Sequence, residues 1–377
     1  MEYSEYRQSI NEILYLCLCM VNNDTPSLER LSAINLKNLN EAAHKHMLAA
    51  MVGAILRDAG IHSALFNKDV LKAQRKSIVL NHEMQQVIDQ LETKGIWYMP
   101  LKGAVLKQYY PRIYTREMAD VDILFDANQH IAVNEIMKAL GFQVKTYGEK
   151  NDDEYIKPPL SNFEMHRHLF QDTSGALYEY YKDVHGRLVK DEGNDFGYHF
   201  SPEDFYIYMI AHEYKHYSNS GTGLRSLLDT YVFLQNHLLD MAYIKAETKK
   251  LGISEFECQN RELSIALFKG QELTASQHKM FEYILSSGTY GSQKHYFDNA
   301  IKKSGGKLQY LKKRVIGPVG KDDPYRQQFI RQYAFFFQHK VLLPFLPFYR
   351  LFRALKKSPN RIKSEANAIR KAEKLDI

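Results

Sequence analysis

Cysteine is scarce in this chain: Cys17, Cys19 and Cys258 are three among 377 residues. Their odd number, and a C-x-C set inside an apolar helical pattern, argue against a disulfide framework or a thiolate metal site and for buried thiols in a reducing compartment. Long hydrophobic runs are also lacking. The apolar stretch at residues 13–21 is too short to span a bilayer. M-E-Y-S-E-Y-R has no basic n-region and no small-residue cleavage site follows, so a cytoplasmic protein is expected. There is no internal repeat and no low-complexity segment.

What is present is an ordinary soluble composition, 45% apolar and 25% charged, in a chain long enough for two or three compact units. The net charge of +6 conceals an imbalance: residues 300–377 hold 19 Lys and Arg against 5 Asp and Glu, a balance of +14 that leaves −8 for residues 1–299. A basic tail on a mildly acidic body suits an anionic partner, either a membrane surface or a nucleic acid.

Periodicity sets a coarse outline. Ile10, Ile13, Leu14 and Leu18, then Leu48, Met51, Val52 and Ile55, recur at helical spacing, with Gly60 and Asn67 as breaks and a further helix over 81–94 stopped by Gly95. Strands are expected at 96–101, 121–126, 142–146 and 163–171, with a helix over 131–140, which makes a small α/β core. Ser201-Pro202-Glu203-Asp204 has a cap, a first-position proline and first-turn acids, and predicts helices over 202–217 and 224–237. The remainder looks helical, with breaks at Gly288, at 305–306 and at 317–320.

The densest chemistry lies at residues 101–125, L-K-G-A-V-L-K-Q-Y-Y-P-R-I-Y-T-R-E-M-A-D-V-D-I-L-F. Asp120 and Asp122 alternate with Val121 and Ile123, so as a strand both carboxylates project from one face and form a hard-cation pair. Upstream, Lys102 and Gly103 lie between an apolar run and a short helical pattern, a turn at which backbone amides and a lysine favour phosphate.

These residues resemble the DNA polymerase β type nucleotidyltransferase superfamily. In particular they resemble bacterial uncharacterised nucleotidyltransferase-like proteins that read L-K-G, then Y-P, then R-x-x-x-D-x-D-h-L, here Leu101-Lys102-Gly103, Tyr110-Pro111 and Arg116 through Asp120, Asp122, Ile123 and Leu124. The resemblance implies an α/β (α+β) nucleotidyltransferase-like core with a small mixed sheet, wrapped by N- and C-terminal helices. The implied reaction moves a nucleoside monophosphate from a nucleoside triphosphate to a hydroxyl on a small molecule, glycan, protein or RNA, with Mg²⁺ or Mn²⁺. Asp120 and Asp122 would hold the metal, Lys102 and Gly103 the phosphates, and Arg116 would offset leaving-group charge. Ala104 stands where the superfamily usually has serine, which leaves Lys102 and backbone amides to do the holding. It also keeps a non-catalytic binding module as the alternative.

A third carboxylate is expected for such chemistry. In N-F-E-M-H-R-H-L-F, alternation places Glu164, His166 and His168 on one strand face, and the family's acid-x-His pattern matches Glu164 and His166. Asp183 and His185 are the competing pair. Residues 212–216, H-E-Y-K-H, match the zinc-hydrolase pattern, with His212 and His216 as ligands and Glu213 as base. Against it stand the missing downstream third histidine and the intruding Lys215. The resemblance instead places His212, His216, Arg225 and Asp229 in a helical substrate-side wall; a structural role, with the histidines hydrogen-bonded to Asp229 or to a backbone carbonyl, is the plainer expectation.

The expected organisation is a helical region at 1–94, the catalytic core at 95–200, a helical substrate-side domain at 201–300 and a basic, aromatic helical region at 301–377. In that last region, prolines and charges among the aromatics of 333–355 argue against a spanning helix. Phe335, Phe336, Leu342, Phe345 and Phe348 are expected to be buried. Around them, Arg350, Arg353, Lys356, Lys357, Arg361 and Lys363 form a basic rim for peripheral contact with an anionic surface.

Overall fold

The structure, a computed structural model, describes residues 1–318, 323, 325–357 and 359–372. Gly320 and the side chains of Lys357, Arg361 and Lys363 lie outside that description. The chain divides into two compact units, one of residues 1–212 and 223–281, the other of residues 213–222 and 282–377.

The first unit is a mixed α/β body. Its sheet has five strands, β1 (Tyr98–Pro100), β2 (Val121–Phe125), β3 (Gln143–Thr146), β4 (Asp152–Lys157) and β5 (Ser161–His166), in the order β1-β2-β5-β4-β3. Only β2 and β5 run parallel; the other pairs are antiparallel. Alternate residues Val121, Ile123, Phe125, Phe163 and Met165 pack with Val87 and Leu91 of helix Ala64–Thr93 and with Val133 and Met137 of helix His130–Ala139. One face of the sheet therefore carries the core, and the polar residues between these positions are left for the other.

Strand β4 escaped periodicity because D-D-E-Y-I-K does not alternate apolar with polar. Its inward Asp153 is nonetheless buried, and its Oδ1 accepts from the Gly148 amide at 2.7 Å and from Arg167 at 3.2 Å. Paired polar groups here replace the apolar signal. Strand β5 stops at His166, so His168 is not on its face; the amides of Arg167 and His168 turn to the Asn151 carbonyl instead.

Asn67 does not break a helix, because it lies in the first turn of the 30-residue helix Ala64–Thr93. Helix Ala49–Asp58 is buried around its whole circumference over its first eight residues, as expected of an apolar helix inside a bundle. A Cβ on its Gly53 would come within 2.9 Å of Val70 and 3.1 Å of Phe66, so glycine is what permits this close approach to the long helix.

His46, fully buried, links this bundle to helix Leu224–Asn236. Its Nδ1 accepts from the Leu224 amide at 3.2 Å and its Nε2 faces the Tyr6 hydroxyl at 2.7 Å. Burial, aided by Lys45, lowers its pKa from 6.5 to about 3. The unfolded chain therefore takes up a proton that the folded chain refuses. Stability is intact above pH 6.5 and falls between there and pH 3, by about 1.4 kcal/mol per pH unit once the unfolded residue is protonated. Urea titrations at pH 7 and 5 are expected to show a drop of roughly 2 kcal/mol. His46→Gln should remove most of that difference, and an undiminished slope in the variant would exclude His46 as its source.

In the second unit, Phe297 and Ile301 of helix Gln293–Lys303 pack with Tyr310 of helix Lys307–Ile316 and Ala368 of helix Pro359–Ala372. Glu365 accepts from Tyr310 at 2.7 Å and from Arg314 Nε at 2.8 Å. The tail departs from expectation: Phe335, Phe345 and Phe348 are exposed, and Phe336 and Leu342 are only half-buried. Helix Leu346–Lys357 seats through buried Leu346, while this small core is closed by the other three helices, so the aromatic residues are not drawn into it.

Candidate metal and nucleotide site

The register of the parallel pair builds the site. Asp122 pairs with Glu164, and Leu124 with His166. Asp122, Glu164 and His166 therefore share the face opposite the helix-covered core. Across β4, Glu154 pairs with Glu164 and Asp152 with His166, which extends the acidic face. One ligand atom from each of Asp122, Glu164 and His166 lies within 4.8 Å of the others.

Asp122 Oδ1 is the hub of this face. It accepts from Lys102 Nζ at 2.6 Å and meets His166 Nε2 at 2.8 Å. Asn151 Nδ2 lies 3.3 Å from His166 Nδ1 and donates to the His168 carbonyl at 3.0 Å. With Asn151 donating to Nδ1, it is Nε2–H that donates to Asp122. Burial opposes charge on Asp122, yet Lys102 and His166 outweigh it and hold the carboxyl well below the usual range. For Lys102 too, burial works against the charge, and Asp122 leads the neighbours that hold its ammonium above the ordinary lysine value. Glu164 is held less closely, with its Oε2 3.7 Å from His166 Nε2. Burial first, then the charge of Asp122, pushes it up to about 8.

Lys102 reaches Asp122 from a strained backbone. Its φ of 46° and ψ of −117° are unusual for a residue with a Cβ, and such a conformation costs on the order of 1–3 kcal/mol unless its surroundings impose it. The helix it opens, Gly103–Leu106, is a single turn. A Cβ on Gly103 would fall 2.5 Å from an Arg116 guanidinium nitrogen and 3.0 Å from Met118, so the packing of Arg116 accounts for this glycine.

Arg116 is itself engaged. Its Nε and Nη2 form a fork on Asp229, at 3.0 and 2.8 Å, and the Tyr110 hydroxyl donates to Asp229 Oδ1 at 2.6 Å. All three side chains are buried. Arg225, half-buried on the same helix as Asp229, donates to the Glu117 carbonyl at 2.7 Å.

Asp120 stands outside the close trio. It precedes the first paired residue of β2, so the pleat does not aim its side chain, and its carboxyl is raised by burial and by the charge of Asp122. Lys76 donates to the neighbouring Ala119 carbonyl at 2.9 Å. Asp183 is exposed ahead of a 3₁₀ turn, and His185 lies against the Trp97 ring. His212 belongs to the first unit, Glu213 and His216 to the second. Among the described residues, the group of three able to hold a metal contains none of them.

Three participants carried no sequence signal. Asn151 lies in an unpatterned N-D-D-E stretch. Tyr208 looks like an ordinary core position of helix Pro202–Tyr217; it is fully buried, its hydroxyl has no hydrogen-bond partner, and it lies in the field of Lys102, Asp122 and Glu164. Lys76 is one of three lysines on a long helix. The bond between Tyr110 and Asp229 joins positions 119 residues apart, beyond the reach of local pattern.

A parallel strand pair thus brings two carboxylates and a histidine close enough together that they could hold a metal ion, with a lysine beside them. The chain belongs to the family of uncharacterised nucleotidyltransferases, whose model matches residues 32–269, and that span takes in the sheet and every residue of this constellation. No curated protein and no solved structure matches the chain.

Proposed function

We propose that the chain transfers a nucleoside monophosphate from a nucleoside triphosphate to a hydroxyl acceptor, with Mg²⁺ or Mn²⁺, at the β2–β5 face. The observation that carries this reading is the register pairing of Asp122 with Glu164 in a member of a nucleotidyltransferase family. The donor set fits a divalent cation: two carboxylates supply oxygens, and His166 is already turned to orient Asp122. When bound, the cation would neutralise phosphate charge and lower the pKa of the acceptor hydroxyl.

In the reaction, the acceptor oxygen bonds to the α-phosphorus and the bond from that phosphorus to the pyrophosphate oxygen breaks. The hydroxyl proton passes to Glu164, the partly exposed carboxylate of the pair. Asp122 is the fixed ligand, kept ionised by Lys102 and aimed by His166 and Asn151. Lys102, at the rim, also draws the phosphates. Asp120 adds negative charge beside the ligands. Arg116, Tyr110 and Asp229 act as a strut that holds the approach to β2, which we favour over phosphate binding for Arg116. His212 and Arg225, both of the first unit, remain on the substrate side.

Calorimetric titration with Mn²⁺, followed by a non-hydrolysable triphosphate analogue, tests the site. Nucleotide is expected to bind with the cation present, and Glu164→Gln is expected to weaken cation affinity by about tenfold or more. Equal nucleotide affinity in the presence of a chelator, or unchanged cation binding by the variant, would sink the proposal.

A further inference from the structure

Helix Leu346–Lys357 of the second unit is amphipathic in the reverse sense of a helix on a folded body. Leu346 is buried, and Arg350 folds over the Phe329 ring at 4.8 Å while donating to the Val315 carbonyl. The other side of the helix turns its aromatics outward: Phe345 just ahead of it is 61% exposed, Phe348 72% and Phe352 66%, with Tyr349 and Leu351 beside them. Phe345, Phe348 and Phe352 follow the three-and-four spacing of one face. Val341, 85% exposed, precedes that stripe, and exposed Lys340 and Lys356 flank it.

Charge indicates what covers this face. Residues 324–364 hold nine Lys and Arg and no Asp or Glu, so the segment that carries the aromatic stripe is basic throughout. No described helix is long and apolar enough to cross a membrane, and a single helix of 12 residues with prolines at its entrance lies on a surface instead. Aromatic rings lodge at the boundary between headgroups and acyl chains, while lysines stay among anionic headgroups. A nucleic acid would be met by basic groups, whereas here the outward groups are phenyl rings and Arg350 is committed inward.

We infer that helix Leu346–Lys357 docks the protein on an anionic lipid surface, with Phe345, Phe348 and Phe352 entering the interface and Lys340 and Lys356 meeting the headgroups. This holds whatever reaction the first unit performs. The test is co-sedimentation of the full chain with phosphatidylcholine vesicles, with and without phosphatidylglycerol, at about 0.1 and 0.5 M NaCl. Binding to the anionic vesicles is expected, with a substantial fraction surviving the higher salt because the rings are inserted. The triple variant Phe345→Ser/Phe348→Ser/Phe352→Ser alters exposed side chains only. It is expected to lose roughly tenfold or more in vesicle affinity with an unchanged melting temperature, and Lys340→Glu/Lys356→Glu is expected to weaken binding to anionic vesicles. Absence of vesicle binding, binding fully abolished by salt, or full binding by the triple variant would each overturn the inference. So would a wild-type dimer that the triple variant converts to monomer without any vesicle binding, since a second copy would then be what covers the stripe.

Discussion

Replacing Asp229 with alanine is expected to destabilise the protein by roughly 3–5 kcal/mol, the scale for breaking a buried ion pair from one side. The fork from Arg116 and the bond from Tyr110 both end on this carboxylate, and all three side chains are buried. Burial lowers the pKa of Arg116, but Asp229 and Tyr110 raise it further, so the guanidinium stays charged. Without Asp229 it would lose its fork partner inside a buried site and keep only the weaker influence of Asp120. The Tyr110 hydroxyl would lose its acceptor at the same time, a further cost of about 1–3 kcal/mol if nothing else reaches it. Urea unfolding of the variant measures the loss. The paired change Arg116→Met/Asp229→Leu is expected to recover much of it, because an apolar pair has no charge to desolvate. A loss below about 1 kcal/mol for Asp229→Ala would show that the fork is not the strut described.

The second large effect is on turnover. Asp122→Asn is expected to reduce pyrophosphate release from a nucleoside triphosphate by roughly 10³-fold or more, since it removes the negative charge of the proposed metal ligand and the counter-charge of Lys102 together. Asp120→Asn should cost far less, because Asp120 lies outside the trio whose ligand atoms converge. Circular dichroism keeps the comparison fair by showing whether each variant is folded, and Lys102→Met/Asp122→Asn removes the unpaired ammonium if the single change unfolds the chain. If Asp120→Asn proves the more damaging of the two folded variants, the ligand assignment is wrong.

Much of this site was legible because strand alternation is local. Asp122 and Glu164 lie in V-D-I-L-F and S-N-F-E-M-H, where apolar residues at every second position settle which side chains face the core, and two-residue spacing brings His166 to the same side as Glu164. The same rule misplaced His168 and does not reach Asp120. Alternation holds only where the ladder holds, and β2 begins at Val121 while β5 ends at His166. Helix Ala64–Thr93 runs through Asn67 because a polar residue in a solvated first turn costs little. Strand β4 was invisible because its buried Asp153 is satisfied by Arg167 and the Gly148 amide rather than by apolar contact.

Motif residues near one another in the chain told less about their partners. Tyr110 and Arg116 belong to a recognisable string, yet the role each plays depends on Asp229, more than a hundred residues away. Composition, pattern and the motif string were sufficient for most helical segments, for every strand of the five-stranded sheet except β4, for the family and for the acidic strand pair, because these depend on burial periodicity and on residues adjacent in sequence. Long-range packing settled the rest. It committed Arg116 to a buried acid, brought Asn151 and Lys102 to the hub at Asp122, and left the tail aromatics outside a small core already filled by other helices. Each outcome is a competition among distant groups for limited buried space, and no local pattern encodes its winner.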